Sequence, residues 1–275
     1  MDKIKVYTLH SVILIILMVM TLFGAKAYQQ ALLYEDATTE LVALQGAQEQ
    51  AMLQLEKFAT SILGTIVGDE RQVNFTRVEK KRTLAMQNAQ RYTRYFMYLL
   101  GAVILSYFLL SLRAFTFFGS IAAIITLILG LISPILMVTI HTQVEYLGDI
   151  VLSFESKGVI GSIVKLFDSG DVIVALVILL FSVVVPSLKV LALLFVSVFM
   201  KSGFAHDVVK FFKMIGKWSM VDVFVVAVFL VYLTANKGEV SRAEVEVGLY
   251  FFLAYVIVSM ILSLAADKML HKLKA

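Results

Sequence analysis

The sequence predicts an all-α, polytopic membrane protein with six transmembrane helices and an extracytoplasmic helical hairpin. Of its 275 residues, 60% are apolar and only 16% are charged, against about 45–50% and about 25% in soluble domains. A bilayer core about 30 Å thick needs roughly 20 apolar residues for each spanning helix. Six segments qualify as spans: 7–25, 95–112, 117–139, 172–200, 220–235 and 248–266.

The first span is predicted to be a retained anchor. Its apolar run reaches spanning length, and the helical pattern continues beyond it. Ala25-Lys26-Ala27 also resembles the small-x-small cleavage site of a signal peptide, which makes a removed signal sequence the alternative. Both alternatives leave the other five spans in the same orientation.

The charges of the short connections predict that both termini are cytoplasmic. Residues 201–217 carry four lysines against one aspartate, whereas residues 141–171 carry five acids against two lysines. Lysine and arginine accumulate in cytoplasmic loops. The net charge of +4 therefore indicates membrane orientation, and no nucleic-acid partner is expected.

Residues 26–94 are predicted to form the helical hairpin, an antiparallel coiled coil. Its first arm places seam residues at alternating steps of four and three. These are Ala37, Leu41, Leu44, Gln48, Ala51, Leu55, Phe58 and Ile62. The second arm repeats every seven residues at Val78, Ala85, Tyr92 and Leu99. The hairpin is interpreted either as a spacer or homo-oligomerisation arm, or as a docking post for another envelope protein.

The predicted spans contain one buried cation and one buried anion. Lys189 is the only charged residue inside the fourth span, and Asp222 is the only carboxylate in any of the six. A central lysine costs at least about 2.5–3.5 kcal/mol to insert, so it should have a partner. Ser182 and Ser219 lie on the same helical faces as Lys189 and Asp222, respectively. Pro186 frees a backbone carbonyl beside Lys189.

Two interpretations of this polar cluster stay open. The cluster is either a structural ion pair that fixes helix packing, or the lining of a polar path that acts as a protonatable switch.

Two other segments carry amphipathic or polar patterns. Residues 204–215 predict a helix in the inner loop that rests in the headgroup layer. His141, Glu145 and Asp149 are predicted to share a helical face outside the third span, either as a cation site or, more plainly, as a solvated helix end.

Enzymatic chemistry is not expected. The chain has no cysteine and four histidines, which excludes disulfides and thiolate zinc sites. No nucleophile and base pair, phosphate-binding glycine loop or metal set is present in the sequence. No cofactor or metal is therefore predicted.

A nine-residue run at the start of the fifth span carries a family resemblance. The run is Gly216-Lys217-Trp218-Ser219-Met220-Val221-Asp222-Val223-Phe224. It resembles the signature of the paraquat-inducible protein A family of bacterial inner-membrane proteins. Ser133-Pro134-Ile135 and Pro186-Ser187-Leu188-Lys189 are also similar to the family pattern. The resemblance runs from about residue 116 to the C terminus, which divides the chain into domains 1–115 and 116–275.

The resemblance implies a function in lipid transport. Members of that family act with periplasmic mammalian-cell-entry (MCE) domain proteins, which carry lipids between the two bacterial membranes. By resemblance, this chain would be the inner-membrane component that passes membrane lipids to or from an MCE partner. Lys189 and Asp222 would couple a proton or a conformational change to that movement.

The chain also departs from the family pattern. Many members have two such domains and cysteine zinc ribbons, whereas this chain has one domain and no cysteine. A membrane sensor or scaffold whose hairpin docks an envelope protein, and a channel, are the alternative functions.

Overall fold

The structure is a computed structural model that describes residues 3–58, 67–144, 148–199 and 241–274. Within these ranges the chain is predominantly α-helical, as predicted. The helices are α1 (Lys3–Phe58), α2 (Val67–Leu105), α3 (Leu112–Ile132), α4 (Val159–Asp168), α5 (Val172–Ile178), α6 (Val185–Val198) and α7 (Val247–Lys274). A 3₁₀ turn (Ser106–Phe108) follows α2, and a π-helical segment (Leu179–Val184) joins α5 to α6.

Two long helices form the N-terminal part of the fold. Helix α1 has 56 residues, so at a rise of 1.5 Å per residue it is about 84 Å long. This is far longer than the bilayer core of about 30 Å, and its outer half must project from the membrane. Helix α2 packs along it, and Arg82 links the two by donating to the hydroxyls of Tyr34 (2.9 Å) and Thr38 (3.2 Å).

The coiled coil remains a prediction. In the described part of the two arms, burial follows the predicted seam. The predicted seam residues Ala37 and Leu41 of α1 and Val78 and Ala85 of α2 are buried. Residues 59–66, where the turn of the hairpin is predicted, and the side chains of 45–58 lie outside the described residues.

Four described helical segments are long and apolar enough to cross a membrane. They are Val6–Leu44, Leu112–Ile132, Val172–Val198 and Val247–Met269. The predicted second span is not among them, because α2 stays helical for only ten residues after Tyr95 before the 3₁₀ turn. The predicted fifth span, 220–235, lies outside the described residues. The count of six therefore stays a prediction.

The third span is shorter than predicted. Helix α3 ends at Ile132, and Ser133 adopts the extended conformation with φ −76° and ψ 149°. The following Pro134 explains this, since proline disfavours helical backbone in the residue before it. Residues 136–139, placed in the third span by hydropathy, belong instead to a strand.

A three-stranded antiparallel sheet in the order β2-β1-β3 was not predicted. Its strands are β1 (Leu136–Val144), β2 (Gly148–Lys157) and β3 (Ser241–Val245). His141 lies in β1 opposite Val151, and Asp149 lies in β2 opposite Gln143. The prediction that His141, Glu145 and Asp149 share a helical face is therefore wrong, because successive strand residues alternate between faces; Glu145 lies outside the described residues.

The sheet packs against the projecting helices. Met137 of β1 is buried in one cluster with Tyr34 of α1 and Ala85 of α2. The Glu35 side chain forms a hydrogen bond with Ser156 of β2. The sheet and the outer half of the α1 and α2 pair therefore form one unit, which we call the extracytoplasmic unit after its predicted side of the membrane.

The core joins the N-terminal helices to the C-terminal ones. Phe96 of α2 meets Phe251 of α7 edge to face, with 4.8 Å between ring centroids. Helix α7 also lies very close to α3, since a Cβ on Gly130 would sit 2.8 Å from the backbone nitrogen of Phe252. Small residues permit such close approach between membrane helices. The boundary predicted at 115/116 thus separates segments that share one core.

The two ends of the chain lie on the same side of the helix bundle. His10, near the start of α1, contacts the ring of Phe118 near the start of α3. Lys268, near the end of α7, donates to the hydroxyl of Tyr107 at 3.3 Å. This agrees with an even number of membrane crossings; that this side is cytoplasmic stays a prediction.

Candidate functional site

Lys189 occupies the interface between α6 and α7. Its side chain is 5% exposed, and Nζ donates to Oγ of Ser259 over 3.2 Å. The Ser259 hydroxyl donates to its own helix, at the carbonyl of Val256 (2.9 Å), which leaves its lone pairs facing the ammonium. The polar side chain expected inside the bundle is thus enclosed by protein.

Tyr255 makes a second polar link between the same helices. Its hydroxyl donates to the carbonyl oxygen of Pro186 at 3.0 Å, and the side chain is 1% exposed. Tyr255 and Ser259 are four residues apart, and Pro186 and Lys189 are three apart, so each pair lies on one helical face. We call these four residues the polar seam.

The polar seam adjoins the π-helical segment. The backbone N–H of Val185 bonds to the carbonyl of Leu180, five residues back, and the next residue, Pro186, has no N–H. Single π turns within α-helices are frequent at functional sites. The segment also contains Ser182, which is buried.

The π segment changes the argument made from sequence for Ser182. A face shared by Ser182 and Lys189 requires α-helical spacing between them, whereas a π turn holds more residues and rotates the helix faces relative to each other. Burial of both side chains is observed, but a shared face does not follow from spacing.

The remaining predicted site residues lie outside the described residues. Asp222 and Ser219 fall in the range 200–240, as does the whole signature from Gly216 to Phe224. The structure thus brings Lys189 and Pro186 together with two residues that the sequence analysis missed, Tyr255 and Ser259. Their four-residue spacing within the last span was the available signal.

A second group of polar contacts joins the residues that follow α3 to the start of α7. The backbone N–H of Gly248 bonds to the carbonyl of Pro134 at 2.9 Å, and that of Glu246 bonds to Ile135 at the same distance. A Cβ on Gly248 would lie 2.6 Å from the carbonyl oxygens of Ser133 and Pro134. The Glu246 side chain is 5% exposed. The Ser133-Pro134 motif thus fixes the start of α7.

The described residues offer no metal site. Within them, no group of three or more histidine, aspartate or glutamate side chains is placed to hold a metal ion. The described chemistry of the seam consists of one cation, hydroxyls and backbone carbonyls.

These features define a multi-pass helical membrane protein with a polar seam inside its bundle. Comparison with family models gives a match to "Paraquat-inducible protein A" over residues 114–271, which is more than half of the chain. The chain therefore belongs to the paraquat-inducible protein A family. Helices α1 and α2 lie outside the matched region. Comparison with curated proteins gave no match, and neither did comparison with solved structures.

Proposed function

We propose that this chain is the inner-membrane component of a lipid transport system and passes lipid to or from a periplasmic MCE-domain partner. Family membership makes the chain a membrane component of a Pqi-type system. The lipid, the partner and the bacterial inner membrane are part of the proposal. The observation that carries it is the enclosed ammonium of Lys189.

The placement of Lys189 supports a working role for the polar seam. Enclosing a lysine within a membrane bundle is expensive, and such residues mark pathways and relays more often than packing contacts. The hydrogen bond of 3.2 Å from Lys189 to the Ser259 hydroxyl crosses the interface between α6 and α7. A small shift between these two helices would therefore change the surroundings of the ammonium.

In the proposed mechanism, Asp222 is the carboxylate that titrates against Lys189. Protonation of Asp222 would remove the attraction that favours the charged lysine. Helix α6 would then move relative to α7 and break the bond from Lys189 to Ser259. The π-helical segment provides a place where the helix can change register at low cost, since its backbone bonding already departs from the α pattern.

The extracytoplasmic unit supplies the proposed contact surface for the partner. The outer part of α1 and α2 and the sheet pack into one body, whereas a mobile loop would have to be ordered on binding. A second copy of this chain, bound through the hairpin, remains an alternative occupant of that surface.

The central test removes the charges of Lys189 and Asp222. Lys189→Met and Asp222→Asn should each abolish envelope-barrier function at normal protein level, whereas Lys189→Arg should retain part of it. Lys268→Met is the matched control, because it removes an exposed lysine at the bundle end. Intact function in both Lys189→Met and Asp222→Asn would refute the coupling mechanism. Loss of the protein itself would mean that the pair serves packing.

The partner is tested separately. Solubilisation in mild detergent, followed by mass spectrometry, should recover an MCE-domain protein together with this chain. A variant with residues 45–73 deleted should lose that protein while keeping the bundle. Recovery of this chain alone, under conditions that preserve known membrane complexes, would contradict the proposed partner.

A further inference from the structure

A groove on the outer part of α1 and α2 has the character of an amphiphile site. Its volume is about 320 Å³, at the lower end of the range of about 300–1,000 Å³ typical of small-molecule sites. Eight residues line it: Gln30, Leu33, Arg77, Lys80, Lys81, Leu84, Ala85 and Asn88. Two of them, Leu33 and Leu84, are 40% and 48% exposed. We call it the hairpin groove.

The charge of the hairpin groove has one sign. Arg77, Lys80 and Lys81 follow one another at steps of three and one, which places them together on one face of α2. Lys81 forms an exposed ion pair with Glu40 at 3.5 Å, a contact of little energetic weight. Within the described residues, no ion pair involves Arg77 or Lys80. The groove therefore has an unneutralised positive end.

The other part of the groove is apolar. Leu33, Leu84 and Ala85 are the apolar residues of its lining, which we call its floor, and the aliphatic stems of the lysines and the arginine add to that apolar surface. A positive end beside an apolar strip matches one molecule that carries both an anionic group and a hydrocarbon chain. A folded acidic partner would instead need a contact area of about 800 Å² on each side.

The predicted ends of the first two spans, Ala25 and Tyr95, give the height of the groove above the membrane and so the way in which such a molecule would lie. Leu33 is eight residues beyond Ala25, or about 12 Å along α1. Lys80 is fifteen residues before Tyr95, or about 22 Å along α2. The headgroup layer adds only about 5–8 Å to each side of the bilayer core. The cations thus stand outside the headgroups, and the apolar floor lies between them and the membrane.

From this arrangement we infer that the hairpin groove binds an anionic phospholipid lifted from the outer leaflet of this membrane. Arg77 and Lys80 hold its phosphate, and an acyl chain lies along Leu33 and Leu84 toward the bilayer. The role of this site in transport rests on the proposed function. The inference adds the class of lipid and a site outside the bilayer where the lipid is bound. The groove lies outside the region matched by the family model.

The binding test uses the absence of cysteine from the chain. Gln87→Cys, next in sequence to the lining residue Asn88, is labelled with an environment-sensitive fluorophore in the full-length protein in neutral detergent. Gln90→Cys on the far side of the same helix is the matched control label. Dioctanoyl phosphatidylglycerol should give a saturable change at position 87 and none at position 90. Dioctanoyl phosphatidylcholine should bind about tenfold more weakly or worse.

Charge and floor variants separate recognition from general attraction. The double variant Arg77→Gln and Lys80→Gln should weaken phosphatidylglycerol binding about tenfold or more, and Arg77→Lys with Lys80→Arg should retain it. Arg91→Gln with Arg94→Gln removes the same charge elsewhere on α2 and should change binding less than about twofold. Leu84→Gln should also weaken lipid binding.

Three results would overturn the inference: equal binding of the two lipids, displacement of phosphatidylglycerol by millimolar inorganic phosphate, or no effect of the groove variants. These binding results are independent of the seam. If the groove does not bind lipid but Lys189→Met abolishes function, the proposed function stands without the groove. If the groove binds lipid but Lys189→Met keeps full function, the lipid site stands and the coupling mechanism is wrong.

Discussion

The ammonium of Lys189 and the hydroxyl of Ser259 meet at 3.2 Å between helices α6 and α7. A second hydrogen bond joins the same two helices one turn away. The hydroxyl of Tyr255, on α7, donates to the carbonyl of Pro186, on α6. A charge inside a bundle needs polar surroundings to be tolerated. The polar seam therefore joins α6 to α7 inside the bundle, and in the proposed mechanism it is the place where protonation alters their packing.

The first prediction concerns Ser259→Ala. Removing the hydroxyl withdraws an acceptor from the Lys189 ammonium, and bonds of this kind in membrane bundles contribute about 0.6–1.7 kcal/mol. The free energy of unfolding in mixed micelles should fall by that amount.

Ser263→Ala is the control for Ser259→Ala, because the Ser263 hydroxyl donates within its own helix, to the Ser259 carbonyl. An equal loss in both variants would show that the bond from Lys189 adds nothing specific.

The second prediction concerns Tyr255→Phe. The exchange keeps the buried ring and deletes one hydrogen bond to a carbonyl, so the protein should lose about 0.5–1.5 kcal/mol of stability. Tyr250→Phe, on the same helix but 51% exposed, should change stability by less than about 0.5 kcal/mol.

Transport adds a second measurement for Tyr255→Phe. If the hydroxyl positions α6, the variant should slow lipid movement while the protein level stays normal. Unchanged stability together with unchanged transport would show that the bond to Pro186 is dispensable.

The third prediction compares two glycines of α3. In Gly130→Ala, the new methyl group would meet the backbone of Phe252, which cannot move aside. In Gly119→Ala, it would meet the end of the flexible Leu262 side chain. Overpacking costs about 1–3 kcal/mol where the neighbours cannot yield.

Gly130→Ala should therefore lower the unfolding temperature and the protein level, and Gly119→Ala much less. The reverse order would mean that α3 and α7 pack more loosely than described.

The sequence was enough to place Lys189 inside a bundle, because the cost of a charge in lipid leaves few other positions for it. It was not enough to find the sheet. Hydropathy counts apolar residues without regard to their spacing, so residues 136–139 were added to a span. The overlooked signals were Pro134, which favours extended backbone before it, and the β-branched residues that follow.

The polar seam was only half predicted for a related reason. A search for charged partners leads from Lys189 to Asp222, the only carboxylate in the predicted spans. Uncharged side chains such as serine and tyrosine cost much less to place in an apolar helix, so the sequence alone does not call for a partner for them. Ser259 and Tyr255 became visible only when α6 was placed against α7.

The fourth prediction concerns the pH dependence of the extracytoplasmic unit through Glu35. Burial raises the pKa of the Glu35 carboxyl, the nearby charge of Asp36 raises this pKa further, and the hydrogen bond with Ser156 lowers it. The folded state thus holds this proton more tightly than the unfolded chain, whose glutamate titrates near about 4.3. Stability must fall as the pH rises from that value through the raised pKa, and it stays lower above.

Glu35→Gln removes this titration. The variant should equal the wild type in unfolding temperature at about pH 4 and exceed it at neutral pH. Asp36→Asn should narrow the pH range over which stability is lost, because it removes one cause of the raised pKa of Glu35. Ser156→Ala should extend the window upward, since it deletes the bond that favours the ionised form. Thermal unfolding in neutral detergent from pH 4 to pH 8 measures all four proteins, and a gain by Glu35→Gln that is the same at every pH would assign the effect to packing instead of charge.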